Sequence, residues 1–241
     1  MSVAYENPYK SLKLAKKKKP YDAYDELKID LPFRALVIGP SGSGKNVALH
    51  NLIKAINNWD TVCVIAKQLN QPLLNELKER CLAAEKKHKT RIWMGSEDLA
   101  HLPSLDDYDP TQNNLVIIDD MICESEKALR PVEEYFIRCR HKNVSIAFLT
   151  QDYFPTPKKI RRNADLIIIK KLRSLTDLQR ICKEYSLEAP MAKVKAMYEA
   201  SVKPISGDPV MHWFTIDPAN ADENYQYRNR FDPIQASTWK Q

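Results

Sequence analysis

From Phe33 onward, the apolar residues of the chain fall into short continuous runs separated by longer amphipathic segments. The runs predict strands at Phe33–Ile38, Thr61–Ala66, Arg91–Met94, Leu115–Ile118, Ser145–Leu149, Asp165–Lys170 and Val210–Ile216. The segments between them predict helices at Lys45–Asn58, Gln71–Lys87, Glu124–Arg138 and Ser174–Tyr185. Strands that are apolar throughout need cover on both faces. The pattern therefore indicates an α/β fold with a mostly parallel central sheet and helices on both faces.

The two ends of the chain lack this pattern. Residues 1–30 contain the run Lys16–Lys19 and predict a basic N-terminal arm, which is either simply solvated or touches nucleic acid or serves as a localisation signal. Residues 217–241 are rich in Asn, Asp and Pro, but they include four aromatic residues: Tyr225, Tyr227, Phe231 and Trp239. We expect this C-terminal tail to pack on its own domain or on a neighbouring subunit. Residues 31–216 are predicted to form the main domain.

Composition narrows the class of protein. The chain has 241 residues, 44% of them hydrophobic, and a net charge of +6, which is enough apolar material for one sizeable core. Its longest apolar runs have strand length, far below the roughly 20 residues that span a bilayer, and no secretory signal is visible. Five cysteines without a CxxC pair argue against a disulfide framework and against a zinc site. We expect a soluble protein that functions in a reducing cellular compartment.

Three of the five glycines, Gly39, Gly42 and Gly44, fall within six residues. The segment that contains them matches GxxxxGK, the phosphate-binding loop, in which backbone N–H groups surround phosphate oxygens and the lysine reaches the β- and γ-phosphates. A predicted strand precedes it and a predicted helix follows it, as the motif requires. A glycine-rich turn without a ligand is the alternative. The residues predicted to bind ATP are Gly39, Pro40, Ser41, Gly42, Ser43, Gly44, Lys45, Asn46 and Val47, with Lys45 also catalytic.

The residue after Lys45 departs from the motif. Ser or Thr at this position places a hydroxyl on Mg²⁺, whereas this chain has Asn46. The amide carbonyl of Asn46 is also an oxygen ligand, but it lies one bond further out and does not donate as a hydroxyl does. Two interpretations stay open: an adapted metal site, or a weakened site with slow hydrolysis.

Two later strand ends carry polar side chains. The run Leu115–Ile118 is followed by Asp119 and Asp120, the Walker B pattern, in which Asp119 would hold Mg²⁺ and Asp120 would polarise the attacking water. Both serve together if the chain bends there; two surface acids are the alternative. The next strand ends at Gln151, which either senses the γ-phosphate or is an ordinary amide. The additional strand Thr61–Ala66 between loop and acid pair favours a RecA-like P-loop ATPase.

Residues 138–173, here called the basic segment, hold ten Lys or Arg residues and two Asp, a net charge of +8 against +6 for the whole chain. This concentration indicates a surface that contacts DNA phosphates, with Tyr153 and Phe154 stacking on bases or packing on the sheet. A solvated basic face is the alternative. Arg138 and Arg140 precede the strand that ends in Gln151 and are candidate arginine fingers for a neighbour's nucleotide.

Several sequence segments together resemble one family. GPSGSGKN, LVIIDDM, RCRHKN, VSIAFLTQDYF and KKIRRNADLIII are similar to the genome-packaging ATPases of the HerA/FtsK superfamily, found in poxviruses, other large DNA viruses, virophages and Maverick-type elements. The resemblance covers roughly residues 33–172. Its more specific features are Met121 after the acid pair, the Arg140-His141-x-Asn143 step and the Thr-Gln strand end.

The resemblance implies a DNA-stimulated ATPase, with Mg²⁺ as cofactor, that forms a hexameric or pentameric ring and moves viral double-stranded DNA into a preformed capsid. Residue by residue, it gives Lys45 as the Walker A lysine, Asp119 and Asp120 as the acid pair, Gln151 as the sensor and Arg140 as the finger. It also implies capsid vertex proteins as partners, and a location in the host cytoplasm or viral factory, with virion association. Two alternatives remain: a cellular helicase or partition ATPase, and a nucleic-acid-binding protein whose nucleotide site is structural.

Overall fold

The computed structural model describes residues 21–89, 92–121, 124–185, 189–204 and 207–240. The strands are β1 (Arg34–Ile38), β2 (Thr61–Ala66), β3 (Trp93–Ser96), β4 (Asn114–Asp119), β5 (Val144–Thr150), β6 (Leu166–Ile169), β7 (Phe214–Ile216), β8 (Tyr227–Asn229) and β9 (Asp232–Pro233). The helices are α1 (Tyr24–Leu27), α2 (Lys45–Ile56), α3 (Pro72–His88), α4 (Glu126–Arg138), α5 (Lys158–Asn163), α6 (Leu175–Glu184), α7 (Met191–Ser201) and α8 (Ala236–Trp239).

The nine strands of the described residues belong to one sheet, in the order β3-β2-β4-β5-β1-β6-β7-β8-β9. The first six are parallel, and β7, β8 and β9 each pair antiparallel with the strand before them. Strand β5 lies between β1 and β4, and the three are in register, so that Ile38 pairs with Thr150 and Asp119 pairs with Leu149. The carboxyl ends of these strands therefore meet at one edge of the sheet. The predicted α/β fold with a mostly parallel sheet is confirmed.

Helices cover both faces of the sheet because the strand side chains alternate. In β1, Leu36 and Ile38 belong to a core that includes buried residues of α4, α6 and α7. Ala35 and Val37 belong to the opposite core, with buried residues of α2 and α3. Each fully buried Leu, Ile or Val contributes about 1.5–3 kcal/mol through the removal of its apolar surface from water. The central strands are thus held from both sides.

Two strands begin two or more residues later than the sequence pattern predicts. The Glu85 carboxylate accepts from the N–H groups of Ile92 and Trp93, so β3 begins at Trp93 and not at Arg91, which lies outside the described residues. Val210, predicted to begin a strand, packs beside Gly44 of the phosphate loop, and β7 begins at Phe214. Helices α1, α5, α7 and α8 and strands β8 and β9 were not predicted.

The two ends of the described chain pack on the sheet. Tyr21 and Ile29 are buried in the α2–α3 core, and the Tyr21 hydroxyl donates to the Ile29 carbonyl. Tyr227 of β8 and Trp239 of α8 are buried in the opposite core, with ring centres 5.2 Å apart. The C-terminal tail therefore forms the far edge of its own sheet. The lysine run at residues 16–19 lies outside the described residues.

No helix in the described part of the chain is long and apolar enough to cross a membrane. The four described cysteines, Cys63, Cys81, Cys139 and Cys182, are free thiols; Cys123 lies outside the described residues.

Candidate functional site

The loop of residues 39–44 joins β1 to α2, and its glycines meet specific backbone demands. Gly42 and Gly44 have φ values of 73° and 85°, in the left-handed region where a side chain is strained. A Cβ at Gly39 would lie 2.5 Å from Cβ of Lys170, and one at Gly44 would lie 2.8 Å from Cβ of Val210. The loop thus needs glycine at all three positions, and it ends at the N-terminus of α2, whose dipole favours an anion.

Lys45 is the first residue of α2 and lies against the loop that precedes it. Its Nζ donates to the carbonyl oxygens of Gly39, at 2.9 Å, and Pro40, at 3.3 Å. Burial lowers the pKa of Lys45, while the nearby Asp119 and Asp120 act in the opposite direction. The ammonium is therefore held over the loop in a partly desolvated place, where it attracts an anion more strongly than it would in water.

The acid pair occupies the end of β4. Asp119 is its last residue and is 5% exposed, while Asp120 has a φ of 57° and turns the chain sharply. Because of this turn, both side chains line one cleft, as the sequence analysis required. Burial raises the pKa of Asp119 above its ordinary value, against the opposing hydrogen bonds from Asn46 and Gln71. The ionised form of Asp119 is thus costly without a further positive charge.

The cleft has a volume of ≈ 430 Å³ and lies at the carboxyl ends of β1, β2, β4 and β5. It brings together eight residues selected from the sequence: Ser41, Gly42, Gly44, Lys45, Asn46, Asp119, Asp120 and Gln151. Gly39, Pro40, Ser43 and Val47 belong to the same loop and first helical turn but do not face the cleft.

Gln151 directly follows β5 and contacts the acid pair. Its Nε2 donates to Oδ1 of Asp120 at 3.1 Å. Since β5 lies between β1 and β4, Gln151 stands between the phosphate loop and the acids. The amide fixes one oxygen of Asp120 and leaves the other for a water or a ligand.

Three further residues line the cleft that sequence reasoning missed: Lys67, Gln68 and Gln71. They follow the buried strand β2, which is the same signal that selected Asp119 and Gln151 at the ends of β4 and β5. Lys67 forms an ion pair with Glu124. Gln71 donates to Asp119 and accepts from Asn46.

Arg138 and Arg140 do not lie at the cleft. They end α4 and precede β5, which places them at the amino-terminal edge of the sheet, opposite the phosphate loop. Arg140 forms an ion pair with Asp165 at 2.8 Å, and Arg34 holds the same carboxylate with two bonds, of 2.6 and 2.9 Å. Neither arginine can therefore serve the nucleotide of its own chain, and the finger remains a prediction that needs a second subunit.

The basic segment does not form one surface. Lys170 is fully buried, and its Nζ donates to the Val210 carbonyl. Five members contact carboxylates: Arg140, Lys142, Lys159, Arg161 and Arg162. The four that remain are exposed: Arg138, Lys158, Lys171 and Arg173. Its net charge therefore overstates the cations that are free to meet another molecule.

The two aromatic residues after Gln151 take different places. Tyr153 is buried, and its hydroxyl donates to Glu184. Phe154 is 63% exposed, with the guanidinium of Arg180 4.6 Å from its ring centre. Tyr153 therefore packs within the protein, and Phe154 is the aromatic side chain of this pair that faces outward.

A divalent cation that is held jointly with nucleotide phosphates fits the donor set of the cleft. Asn46 and Asp119 offer an amide oxygen and a carboxylate, the hard oxygen donors that Mg²⁺ takes, and phosphate oxygens supply others. Among the described residues, no group of three or more His, Cys, Asp and Glu residues forms a metal site by itself.

Comparison with known proteins adds to the geometry. No protein-family model and no curated protein sequence matches the chain. The structure is similar to that of the genome packaging NTPase B204 from Sulfolobus turreted icosahedral virus 2 in complex with AMPPCP, with a TM-score of 0.50 and 16% sequence identity over 79% of this chain and 94% of that one. This fold is that of P-loop ATPases.

Two further solved structures are similar. B204 in complex with sulfate gives a TM-score of 0.49 at 16% identity, covering 77% of this chain and 91% of that one. EssC (ATPases 2 and 3) from Geobacillus thermodenitrificans gives 0.45 at 9% identity, covering 81% and 41%. A viral genome packaging NTPase, the group that the sequence motifs resemble, is thus among the structural neighbours of this P-loop ATPase fold. At these identities the likeness concerns the fold alone.

Proposed function

We propose that the protein is an ATPase that moves viral double-stranded DNA into a preformed capsid. The observation that carries this proposal is the adjacency of β1, β5 and β4, which brings Lys45, Gln151 and the Asp119–Asp120 pair to one cleft. The sequence segments that resemble packaging ATPases supply the choice of DNA packaging over other uses of the same cleft.

In this proposal each side chain of the cleft has a defined task in phosphoryl transfer. The phosphate loop and Lys45 hold the β- and γ-phosphates. Asp120 orients the attacking water and accepts its proton, while Gln151 fixes the Asp120 carboxylate through the 3.1 Å hydrogen bond. Asn46 and Asp119 would hold Mg²⁺, which neutralises charge on the phosphates when it is bound.

The DNA contact is assigned to the exposed part of the basic segment near the carboxyl edge of the sheet. Phe154 lies three residues after Gln151, with Arg180 against its ring, and Lys158 begins α5 soon afterwards. Lys171 and Arg173 follow β6, which ends at the same edge. The loop after Gln151 therefore connects the nucleotide cleft to exposed cations, a short route along which hydrolysis can alter the grip on DNA phosphates.

A ring of subunits completes the site in this proposal. Arg138 and Arg140 lie at the edge opposite the cleft, so one of them would act on the nucleotide of an adjacent subunit. An arginine finger supplied in trans accelerates phosphoryl transfer by about 10³–10⁵. We therefore propose a homo-oligomeric ring, hexameric or pentameric, with capsid vertex proteins as further partners and the host cytoplasm or viral factory as its location.

The deciding experiment measures phosphate release with and without double-stranded DNA, in the presence of Mg²⁺. DNA should stimulate the wild-type chain, while Lys45→Ala and Asp120→Asn should lose turnover because each removes a group that acts on the γ-phosphate or the water. Lys54→Ala, an exposed lysine of the same helix α2, is the matched control and should retain turnover. Normal turnover in Lys45→Ala or Asp120→Asn would refute the role of that residue.

Translocation is measured separately, by the displacement of a third strand from a duplex. Displacement that requires ATP hydrolysis supports the packaging motor. Separation of the duplex into single strands would instead support the helicase alternative, and nucleotide binding without any hydrolysis would support a structural nucleotide site.

A further inference from the structure

The side chain of Gln71 lies in the wall of the cleft, between Asn46 and Asp119. Gln71 immediately precedes α3, with an extended backbone (φ −119°, ψ 143°), and its side chain makes no capping hydrogen bond to that helix. Instead, Nε2 donates to the Gln68 carbonyl at 2.8 Å and to Oδ2 of Asp119 at 3.3 Å. Its Oε1 accepts from Nδ2 of Asn46 at 2.6 Å. The Gln71 amide thus donates through its nitrogen and accepts through its oxygen, with all of these partners lining the cleft.

These partners determine which way both amides face. The Gln68 carbonyl and the Asp119 carboxylate only accept hydrogen bonds, so Nε2 of Gln71 must face them. Oε1 of Gln71 then faces Asn46, which must present its Nδ2 as donor. Nδ2 of Asn46 also lies 3.3 Å from Oδ2 of Asp119, so both of its N–H groups have partners.

The consequence concerns Oδ1 of Asn46. With its nitrogen turned toward Gln71 and Asp119, Asn46 has Oδ1 left for the cleft, and this oxygen accepts no hydrogen bond from the described part of the chain. An amide rotated by 180° would present N–H groups, which repel a cation. A hydroxyl at position 46 would face no such choice, because it rotates and carries its lone pairs on the one oxygen.

We propose that Gln71 is a positioning residue that holds Oδ1 of Asn46 toward the metal and phosphate side of the nucleotide site. Asn46 and Gln71 together then replace the single Ser or Thr of the usual motif, which favours an adapted over a weakened metal site. The inference rests on the proposed binding of ATP but requires neither DNA nor hydrolysis.

The experiment compares the affinity for ATPγS in Mg²⁺ with that in EDTA, measured by calorimetry on the full chain. Gln71→Leu removes the partner of Asn46 and should reduce the Mg²⁺-dependent gain in affinity by about 10–100-fold, as loss of an outer partner of a metal ligand does. Affinity in EDTA should stay at the wild-type value, which also shows that the variant folds. Gln179→Leu, an exposed glutamine of α6, is the matched control and should keep the full gain.

A second variant separates the contact with Asn46 from the contact with Asp119. In Gln71→Glu the side chain retains an acceptor for Nδ2 of Asn46 but loses the N–H groups that reach Asp119 and the Gln68 carbonyl. The Mg²⁺-dependent gain should therefore be retained. A loss as large as that of Gln71→Leu would overturn the inference.

A double-mutant cycle gives the sharpest outcome. In an Asn46→Ser background the hydroxyl needs no orienting partner, so adding Gln71→Leu should leave the Mg²⁺-dependent gain unchanged. An equal loss in both backgrounds would mean that Gln71 acts independently of Asn46 and would overturn the inference. Equal wild-type affinity in Mg²⁺ and EDTA would also overturn it, while ATP binding would stand. A chain that shows the predicted cycle but no DNA-stimulated turnover would refute the proposed function alone.

Discussion

Charged groups at the two edges of the central sheet have different partners. At the carboxyl edge, Asp119 receives hydrogen bonds from two neutral amides, and burial raises its pKa. Lys45, which is partly buried, donates hydrogen bonds to loop carbonyls. At the amino edge, Asp165 is held by the guanidinium groups of Arg34 and Arg140. At the first edge, Lys45 and Asp119 are partnered by neutral groups, so that a ligand can complete their charges. The second edge pairs its charges within the chain, as a structural contact does.

This comparison places a condition on the arginine finger. Arg140 is paired with Asp165 in the single chain, so it must exchange this partner for a neighbour's nucleotide if it is to act in trans. Arg140 can leave Asp165 because Arg34 continues to hold this carboxylate with two hydrogen bonds. Arg140 is 53% exposed, which leaves its guanidinium accessible to another subunit.

The largest expected effect is on turnover. Arg140→Ala should reduce DNA-stimulated ATP hydrolysis by about 10³-fold or more, because the charge on the transition state loses a partner. Mixing this variant with Lys45→Ala should restore partial activity, since an intact finger then meets an intact cleft. Steady-state phosphate release at varied mixing ratios measures the rescue.

Arg130→Ala, an exposed arginine on α4, is the control and should keep wild-type turnover. Absence of rescue at every mixing ratio would count against a finger at position 140, and the same experiment with Arg138→Ala tests the second candidate.

The next effect is on stability at the amino edge. Asp165→Asn should lower the free energy of unfolding by about 3 kcal/mol, because the largely buried guanidinium of Arg34 loses its counter-charge. Urea denaturation at pH 7 measures the change. An unchanged midpoint would show that the Arg34–Asp165–Arg140 contact contributes nothing to the fold.

The same substitution at the carboxyl edge should have the opposite sign. Asp119→Asn should raise the free energy of unfolding at pH 7, because burial raises the pKa of Asp119 and so disfavours its ionised form in the folded state. The folded state binds the Asp119 proton more tightly than the unfolded state does, so the cost of the charge vanishes as pH falls below the unfolded pKa.

Urea midpoints of wild type and Asp119→Asn across the acidic range test this directly. The advantage of the variant should be largest where Asp119 is ionised in the folded state and should shrink as the pH falls through its raised pKa. A variant that is less stable than the wild type at pH 7 would contradict the distinction between the two edges.

The smallest effect concerns DNA affinity. Lys158 and Lys159 are neighbours on α5, but Lys159 pairs with Glu133 at 2.8 Å, whereas Lys158 has no ion pair among the described residues. Lys158→Ala should reduce the slope of log affinity against log salt by about 0.9, the share of one phosphate contact. Lys159→Ala should change it less. Equal slopes for both variants would remove Lys158 from the DNA surface.

The carboxyl edge was largely predictable, because its chemistry depends on short sequence motifs. Gly39 to Lys45 specify a loop between a strand and a helix whatever surrounds them, and an apolar run that ends in Asp119 and Asp120 identifies a strand exit. Gln71 was missed because the sequence pattern makes it the first residue of a predicted helix. Its contacts with Asn46 and Asp119 join residues 25 and 48 positions apart, which local periodicity does not encode.

For the basic segment, the sequence alone overestimated the charge that is free to meet another molecule. Its net charge of +8 is a property of sequence, but whether a cation is free depends on which carboxylates folding brings to it. Glu184, on the following helix, forms an ion pair with Arg161, and Asp165 forms one with Arg140. Charge counts along a chain therefore predict a basic surface only after such pairs have been removed.

By itself, the sequence determined the α/β class, the phosphate loop and the acid pair, since each depends on residues within a few positions of one another. The tertiary structure decided the rest: that β5 separates β1 from β4, that the tail adds β8 and β9 to the sheet, and that Gln71 orients Asn46. The physical reason is that hydrogen bonds and ion pairs between distant segments form where folding places their partners, and hydrophobic periodicity contains no record of that placement.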